Sequence, residues 1–170
     1  TLIEILLNRL KKSKLITKLI VAIPKKDKIL KNLLEDKYNI FEGDEFDVLE
    51  RYYLAAKKNK ADIVVRVTGD CPLIDSQLID AGLKKFLKSN FDYISNINPP
   101  TFPDGLDYEI FNFKTLESSY LKEKLKDDRE HVTKYILKNN NFKKYNMTSI
   151  KDYSFLRITL DYKKDLNLIK

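Results

Sequence analysis

Short apolar, β-branched runs alternate with helical apolar periods along the first half of this chain, and that alternation constrains the fold more than any other feature. Leu19-Ile20-Val21-Ala22-Ile23 is a compact strand closed by Pro24, and residues 62–67 (Asp62-Ile63-Val64-Val65-Arg66-Val67) form a second. Ile3, Leu6, Leu7 and Leu10 recur at helical spacing, so a helix is expected over 2–13. Further helices are expected over 28–36, 45–58 (with Asp44 as cap and Phe46, Leu49, Tyr53 and Leu54 inward) and from Asp75 or Ser76 to Lys88. A short strand is expected near 38–41. Strand–helix alternation is the signature of a parallel sheet with right-handed crossovers. Beyond Asn90 the expected strands are 91–95, 106–113, 145–150 and 156–160. A loop covers 98–105, and helices cover 114–122, 127–138 and the stretch from Tyr162.

A chain of 170 residues reads as one domain, 1–170, with a sizeable single core. The net charge of +7 is carried almost wholly by lysines scattered along the chain, with arginine only at positions 9, 51, 66, 129 and 157. That is the pattern of a solvated surface, so no nucleic-acid partner is expected. No apolar run approaches the roughly 20 residues that span a bilayer, so no membrane insertion is expected. The single Cys71 excludes a disulfide framework and a cysteine-rich metal site. With no secretory leader pattern, a cytoplasmic location is the default.

Candidate chemistry collects in three places. The first is Val67-Thr68-Gly69-Asp70-Cys71-Pro72, where a buried strand stops at a carboxylate; ligands in open α/β sheets bind at the carboxyl ends of strands. A tight Gly-Asp turn is the alternative reading. Asp161, at the end of Leu156-Arg157-Ile158-Thr159-Leu160, is its best partner, since two carboxylates at adjacent strand ends can hold Mg²⁺. Asp161 can equally cap the next helix on the amides of Lys163 or Lys164. The second place is Asp107 and Glu109, which alternate with Leu106, Tyr108 and Ile110 and so share one strand face. That face suits a polyol substrate, or is the wet side of an edge strand. The third is Asp127-Asp128-Arg129-Glu130-His131. Arg129 can pair with a substrate anion, or with Glu130 or Asp128. His131, the only histidine, excludes a His-based zinc site; it reads as structural at a helix start, or as a base for which Cys71 is the only thiol nucleophile.

Taken in order, Phe41-Glu42-Gly43-Asp44-Glu45-Phe46-Asp47-Val48-Leu49-Glu50-Arg51, Val67-Thr68-Gly69-Asp70-Cys71-Pro72-Leu73-Ile74-Asp75, Phe102-Pro103-Asp104-Gly105-Leu106-Asp107-Tyr108-Glu109, Arg129-Glu130-His131-Val132-Thr133 and Thr159-Leu160-Asp161-Tyr162-Lys163-Lys164-Asp165-Leu166 resemble the cytidylyltransferase family. The similarity is to the spore-coat polysaccharide biosynthesis type, related to acylneuraminate and 3-deoxy-manno-octulosonate cytidylyltransferases, and it runs nearly end to end. It implies a Rossmann-like three-layer α/β/α sandwich of the nucleotide-diphospho-sugar transferase type, with a mostly parallel sheet. It implies a reaction of CTP with a sugar acid that gives a CMP-sugar and pyrophosphate with Mg²⁺. By resemblance, Asp70 and Asp161 are catalytic and hold the metal, and Asp107, Glu109, Arg129 and His131 line the sugar side. Glu42, Gly43 and Asp44 lie on the nucleotide side, and relatives pair as homodimers. The family's opening strand and basic, glycine-containing phosphate loop have no counterpart here; the chain opens in a helix, and none of its four glycines forms a phosphate loop. An N-terminally truncated domain of impaired activity is therefore expected. The alternatives are a non-catalytic remnant that binds a partner, and a metal-dependent glycosyltransferase, which would usually show Asp-x-Asp at the strand end.

Overall fold

The computed structural model describes residues 1–169 as an α/β chain with eight α-helices and six strands among those residues. In chain order these are α1 (Leu2–Leu10), β1 (Ile20–Pro24), α2 (Lys28–Leu34), β2 (Asn39–Gly43), α3 (Val48–Lys58), β3 (Ile63–Arg66) and α4 (Ser76–Leu87). There follow β4 (Tyr93–Ser95), β5 (Glu109–Asn112), α5 (Phe113–Lys122), α6 (Lys126–Glu130), α7 (Lys134–Lys138), β6 (Lys144–Asn146), a 3₁₀ turn (Lys163–Asp165) and α8 (Leu166–Ile169). Two compact units are formed: Thr1–Thr17, Val65–Ile110 and the stretch from Lys144 onward make the first, and Lys18–Val64 with Phe111–Lys143 the second.

In the first unit α1 turns Leu6, Leu7 and Leu10 into the interior. Arg9 Nε donates to the Ile74 carbonyl at 2.7 Å. The chain leaving α1 is tied to α4 by Asp80, whose buried carboxylate accepts the Ser13 hydroxyl at 2.5 Å and the Lys14 amide at 2.9 Å. The four-stranded sheet has the order β3-β5-β4-β6, with β4 and β6 parallel. β5 is thus an interior strand, with Glu109, Ile110 and Phe111 all buried. The edge-strand reading of 106–113 is corrected by that placement.

Tyr108 precedes β5 and is 1 % exposed. A Cβ at Gly82 would lie 2.6 Å from its ring, so the helix gives up a side chain to admit the tyrosine. The Tyr108 hydroxyl has no hydrogen-bond partner among the described residues.

In the second unit β1 and β2 pair in parallel, Ile20 opposite Asn39 through Pro24 opposite Gly43. The rings of Tyr53 on α3 and Tyr120 on α5 stack at 4.2 Å between centroids, and the Tyr53 hydroxyl donates to Glu117 at 3.2 Å.

Several expected elements change in detail. α3 starts at Val48 with Asp47 as its cap, accepting from the Glu50 amide, so Asp44 is not the cap and Phe46 lies outside the helix at 73 % exposed. Leu54 is also exposed, while Leu49 and Tyr53 are buried as expected. The helix expected over 127–138 breaks into α6 and α7 at Val132, which takes φ 61°. A β-branched residue rarely adopts that backbone; complete burial of the Val132 side chain holds it there. Residues 156–160 form no regular strand: they bury Thr159 and expose Leu156, and Phe155 just before them is exposed as well. The parallel bridge of Asp104 with Arg157 and the Leu160 N–H to Asp70 carbonyl bond attach them.

Removing the orphaned hydroxyl is expected to help the fold. Tyr108→Phe should raise unfolding stability by about 1 kcal/mol in urea titration, since a buried unsatisfied donor costs about that much or more. A loss of stability would mean that the hydroxyl is satisfied by bound water.

Candidate active site

In the first unit β3 ends at Arg66 and the chain turns through Thr68-Gly69-Asp70, with the Cys71 amide donating to the Thr68 carbonyl at 3.3 Å. Cys71 is buried beneath this turn, and burial pushes its thiol up to about 12, so it is no nucleophile at neutral pH. Asp70 stays at the surface of the turn; among the described contacts its carboxylate accepts only the Cys71 thiol, at 3.7 Å. Gly69 has a backbone any residue could adopt, and a Cβ there would meet no protein atom within 4 Å. Nothing inside the protein requires glycine beside Asp70.

Asp161 is brought beside this turn by the main chain. The Leu160 N–H donates to the Asp70 carbonyl at 2.8 Å. Upstream, the Asp104 N–H donates to the Leu156 carbonyl at 3.0 Å, and the Ile158 N–H to the Asp104 carbonyl at 2.7 Å. This close run requires Gly105: it sits at φ 108°, and a Cβ would come within 2.8 Å of the Ile158 backbone. Asp161 does not cap the following turn. Its carboxylate takes Arg157 Nη2 and, at 3.3 Å, the Thr159 hydroxyl. Arg157 also reaches Asp165 at 3.3 Å and Asp104 at 3.7 Å.

Asp107 lies in the same unit, and burial together with the charges of Asp104, Asp70 and Glu109 pushes its carboxyl up to about 6. Negative charge in this corner is therefore only partly neutralised by the protein. Among the described residues no group of three or more His, Cys, Asp or Glu side chains is placed to hold a metal. A Mg²⁺ site needs only one or two carboxylates when substrate phosphates complete it, and Asp70 and Asp161 are the two that would supply that smaller donor set.

Glu109 is engaged in the interior. It accepts the Tyr93 hydroxyl at 2.6 Å and Arg66 Nη1 at 2.5 Å, and its side chain is 3 % exposed.

In the second unit Glu42 accepts Lys31 at 2.6 Å and lies 3.6 Å from Lys28, and the Lys31 hydrogen bond first of all holds it below the usual carboxylate range. It borders an open cavity of about 450 Å³ with Tyr38, Phe41 and Lys58. Gly43 packs on Arg51, whose Cγ would sit 2.7 Å from an added Cβ. Asp44 accepts the Phe46 and Asp47 amides, both at 2.8 Å. Arg129 pairs with Asp47 at 2.7 Å, rather than with Glu130 or Asp128, and donates to the carbonyls of Tyr120 at 3.0 Å and Glu123 at 2.9 Å. His131 is an exposed C-cap of α6, 3.5 Å from Asp127, and not a helix start. The structure thus gathers Asp70, Asp161 and Asp107 in the first unit, and joins Asp44 and Arg129 to α3 in the second.

The order of these elements is matched from residue 1 to residue 165 by the family model described as cytidylyltransferase. The chain belongs to the cytidylyltransferase family. It is a nucleotidyltransferase, and CTP-using nucleotidyl transfer is its chemistry. It is 42 % identical over 173 residues to an uncharacterized protein of Methanocaldococcus jannaschii, covering 98 % of this chain and 70 % of that protein. It is 28 % identical over 188 residues to the spore coat polysaccharide biosynthesis protein SpsF of Bacillus subtilis, covering 99 % of this chain and 74 % of SpsF. Among solved structures, a cytidylyltransferase from Leptospira borgpetersenii superposes with a TM-score of 0.93 at 33 % identity, over 100 % of this chain and 74 % of that one. A CMP:2-keto-3-deoxy-manno-octonic acid synthetase complexed with CTP superposes with a TM-score of 0.72 at 13 % identity, over 99 % and 85 % of the two chains, which shows the shared fold. This cytidylyltransferase therefore has the nucleotide-diphospho-sugar transferase fold. Among its described residues no helix is long and apolar enough to cross a membrane.

Sequence reasoning missed Asp47, Arg157 and Asp165 as organisers. Asp47 stands three residues before Glu50, an ordinary cap spacing, and could have been found; Asp161 and Asp165 lie close to Arg157 along the chain, but Asp104 reaches it through a backbone bridge that no local pattern reports.

Two outcomes test this electrostatic picture. Asp107 has an ordinary value of 3.8 and a folded value of about 6, so the unfolded chain ionises first and stability falls as pH rises between them. Asp107→Asn should remove that fall, about 1 kcal/mol once screening of the half-exposed group is allowed for, in denaturant titrations at pH 4 to 7. Glu109→Ala leaves Arg66 without its buried counter-charge and should cost about 3–5 kcal/mol in the same assay.

Proposed function

We propose that this cytidylyltransferase couples CTP to a sugar acid, giving a CMP-sugar and pyrophosphate for surface polysaccharide synthesis. The observation that carries the reading is the meeting of two chain segments, each presenting a carboxylate, at the Leu160 N–H to Asp70 carbonyl bond. Asp70 and Asp161 flank that bond and would hold Mg²⁺ together with the nucleotide phosphates. The ion would supply charge neutralisation on the triphosphate and polarise the α-phosphate. A hydroxyl oxygen of the sugar forms the new bond to the α-phosphorus as its proton passes to solvent, and the α–β phosphoanhydride bond breaks in line to release pyrophosphate. The open space at Gly69 supports the assignment, because a substrate can approach the backbone there without meeting a side chain. Asp107, whose carboxyl stays partly protonated near pH 6, is suited to hydrogen bonding with a polyol. The names of SpsF and of the octonic acid synthetase favour a sugar-acid acceptor and a polysaccharide pathway.

Arg129 and Glu109 would act through the residues they hold, since their donors and acceptors are engaged within the protein.

Pyrophosphate release with CTP, Mg²⁺ and a panel of sugar acids tests the reading. Turnover is expected, with Asp70→Asn lowering it at least about a hundredfold, the loss of about 3 kcal/mol of transition-state stabilisation. Gly69→Ala should lower kcat/KM about tenfold with an unchanged unfolding midpoint, because its side chain meets substrate and no protein atom. Full activity in Asp70→Asn would sink the assignment.

A further inference from the structure

Asp161 is exposed and Asp165, four residues on, is buried, with side chains 47 % and 8 % accessible. The buried carboxylate faces the segment that carries the exposed one. Asp165 Oδ2 accepts the backbone N–H of Asp161 at 2.9 Å and that of Tyr162 at 2.8 Å. The same oxygen lies 3.3 Å from Arg157 Nη1, and Arg157 Nη2 holds Asp161. On the other side, the Leu160 N–H is bound to the Asp70 carbonyl at 2.8 Å. The backbone of Asp161 is therefore fixed at both flanks, by Asp70 before it and by Asp165 after it.

We infer that Asp165 is a positioning residue for Asp161, setting where its carboxylate stands and how much of the Arg157 charge it feels. Resting on the reading of Asp70 and Asp161 as a cation-holding pair, the argument is electrostatic as well as geometric. Three carboxylates, Asp104, Asp161 and Asp165, share one guanidinium. With Asp165 present, part of the Arg157 charge is directed away from Asp161, which keeps that carboxylate available to a cation. Without it, two amides lose their acceptor and Arg157 is left to neutralise Asp161 more completely. Both changes weaken the site without removing either of its donors, and outer partners of this kind shift metal affinity by about 10- to 100-fold. Asp165→Asn separates the two effects, because the amide oxygen still accepts the N–H groups while the charge opposite Arg157 is lost.

The test is Mn²⁺ titration followed by paramagnetic broadening of backbone amide resonances, on the native chain, Asp165→Asn and Asp165→Ala, each under conditions where it is folded. In the native chain the amides of Asp70, Cys71 and Leu160 to Tyr162 should broaden first. In Asp165→Ala the Mn²⁺ concentration for half-broadening should rise about tenfold, and in Asp165→Asn about threefold. Hydrogen exchange at the Asp161 and Tyr162 amides should quicken in Asp165→Ala and stay near native in Asp165→Asn. Native-like Mn²⁺ concentrations in both variants would overturn the positioning role while leaving the cation site standing. If Asp165→Ala does not fold, an unchanged Mn²⁺ concentration in Asp165→Asn overturns it alone. No localised broadening in the native chain would overturn the cation pair itself, and the inference with it.

Discussion

The close passage of Ile158 over Gly105 is the contact on which the candidate site depends. A backbone with φ 108° and no Cβ lets residues 156–160 lie within hydrogen-bonding reach of Asp104, and any side chain at that position would strike the Ile158 main chain. Once the segment is seated there, the Leu160 amide, two residues past Ile158, reaches the carbonyl of Asp70. Asp161 follows at once, so the approach of these two residues comes from main-chain geometry. Their own side chains do nothing to bring them together, as expected of like charges.

The carboxylates of this protein fall into two groups by what surrounds them. Glu109, Glu42, Asp44, Asp47 and Asp165 are each met by cations, hydroxyls or backbone amides, and they fasten one piece of chain to another. Asp70 receives only a long thiol contact among the described residues, and Asp107 is raised by burial and by its acidic neighbours. Carboxylates with few protein partners suit a catalytic centre better than a structural one, because a substrate or cation completes them. The contrast within the single motif from Asp104 to Glu109 shows how local this division is. Two residues apart, Glu109 is locked to Arg66 and Tyr93 while Asp107 is not.

Much of the fold was legible in the chain. The apolar runs at Leu19–Ile23 and Ile63–Val67 are strands, and the helical periods of α1, α3 and α4 are helices within a few residues of the expected ends. Errors came where an apolar residue had another use. Phe46 lies outside α3 because Asp47 captures the Glu50 amide and starts the helix later. The apolar residues near 156 look like a strand core, yet the segment is held by hydrogen bonds to Asp104 and Asp70, with Phe155 and Leu156 outside. Val132 breaks a helix that its neighbours would continue, since burying its side chain outweighs the strain of a positive φ.

Period and punctuation act over a few residues, and they were enough to determine the α/β class, the main elements to within a few residues and the placing of Asp70 in the turn that follows a strand. The five ordered motifs were likewise enough to point to the family. What tertiary structure decided was the company each charged group keeps. Arg129 could have met any nearby acid and met Asp47, 82 positions away; Glu109 could have faced water and faced Arg66, 43 positions away. Charge pairs of that separation depend on how strands order in a sheet and where the backbone passes closely, and a one-dimensional pattern carries neither distance.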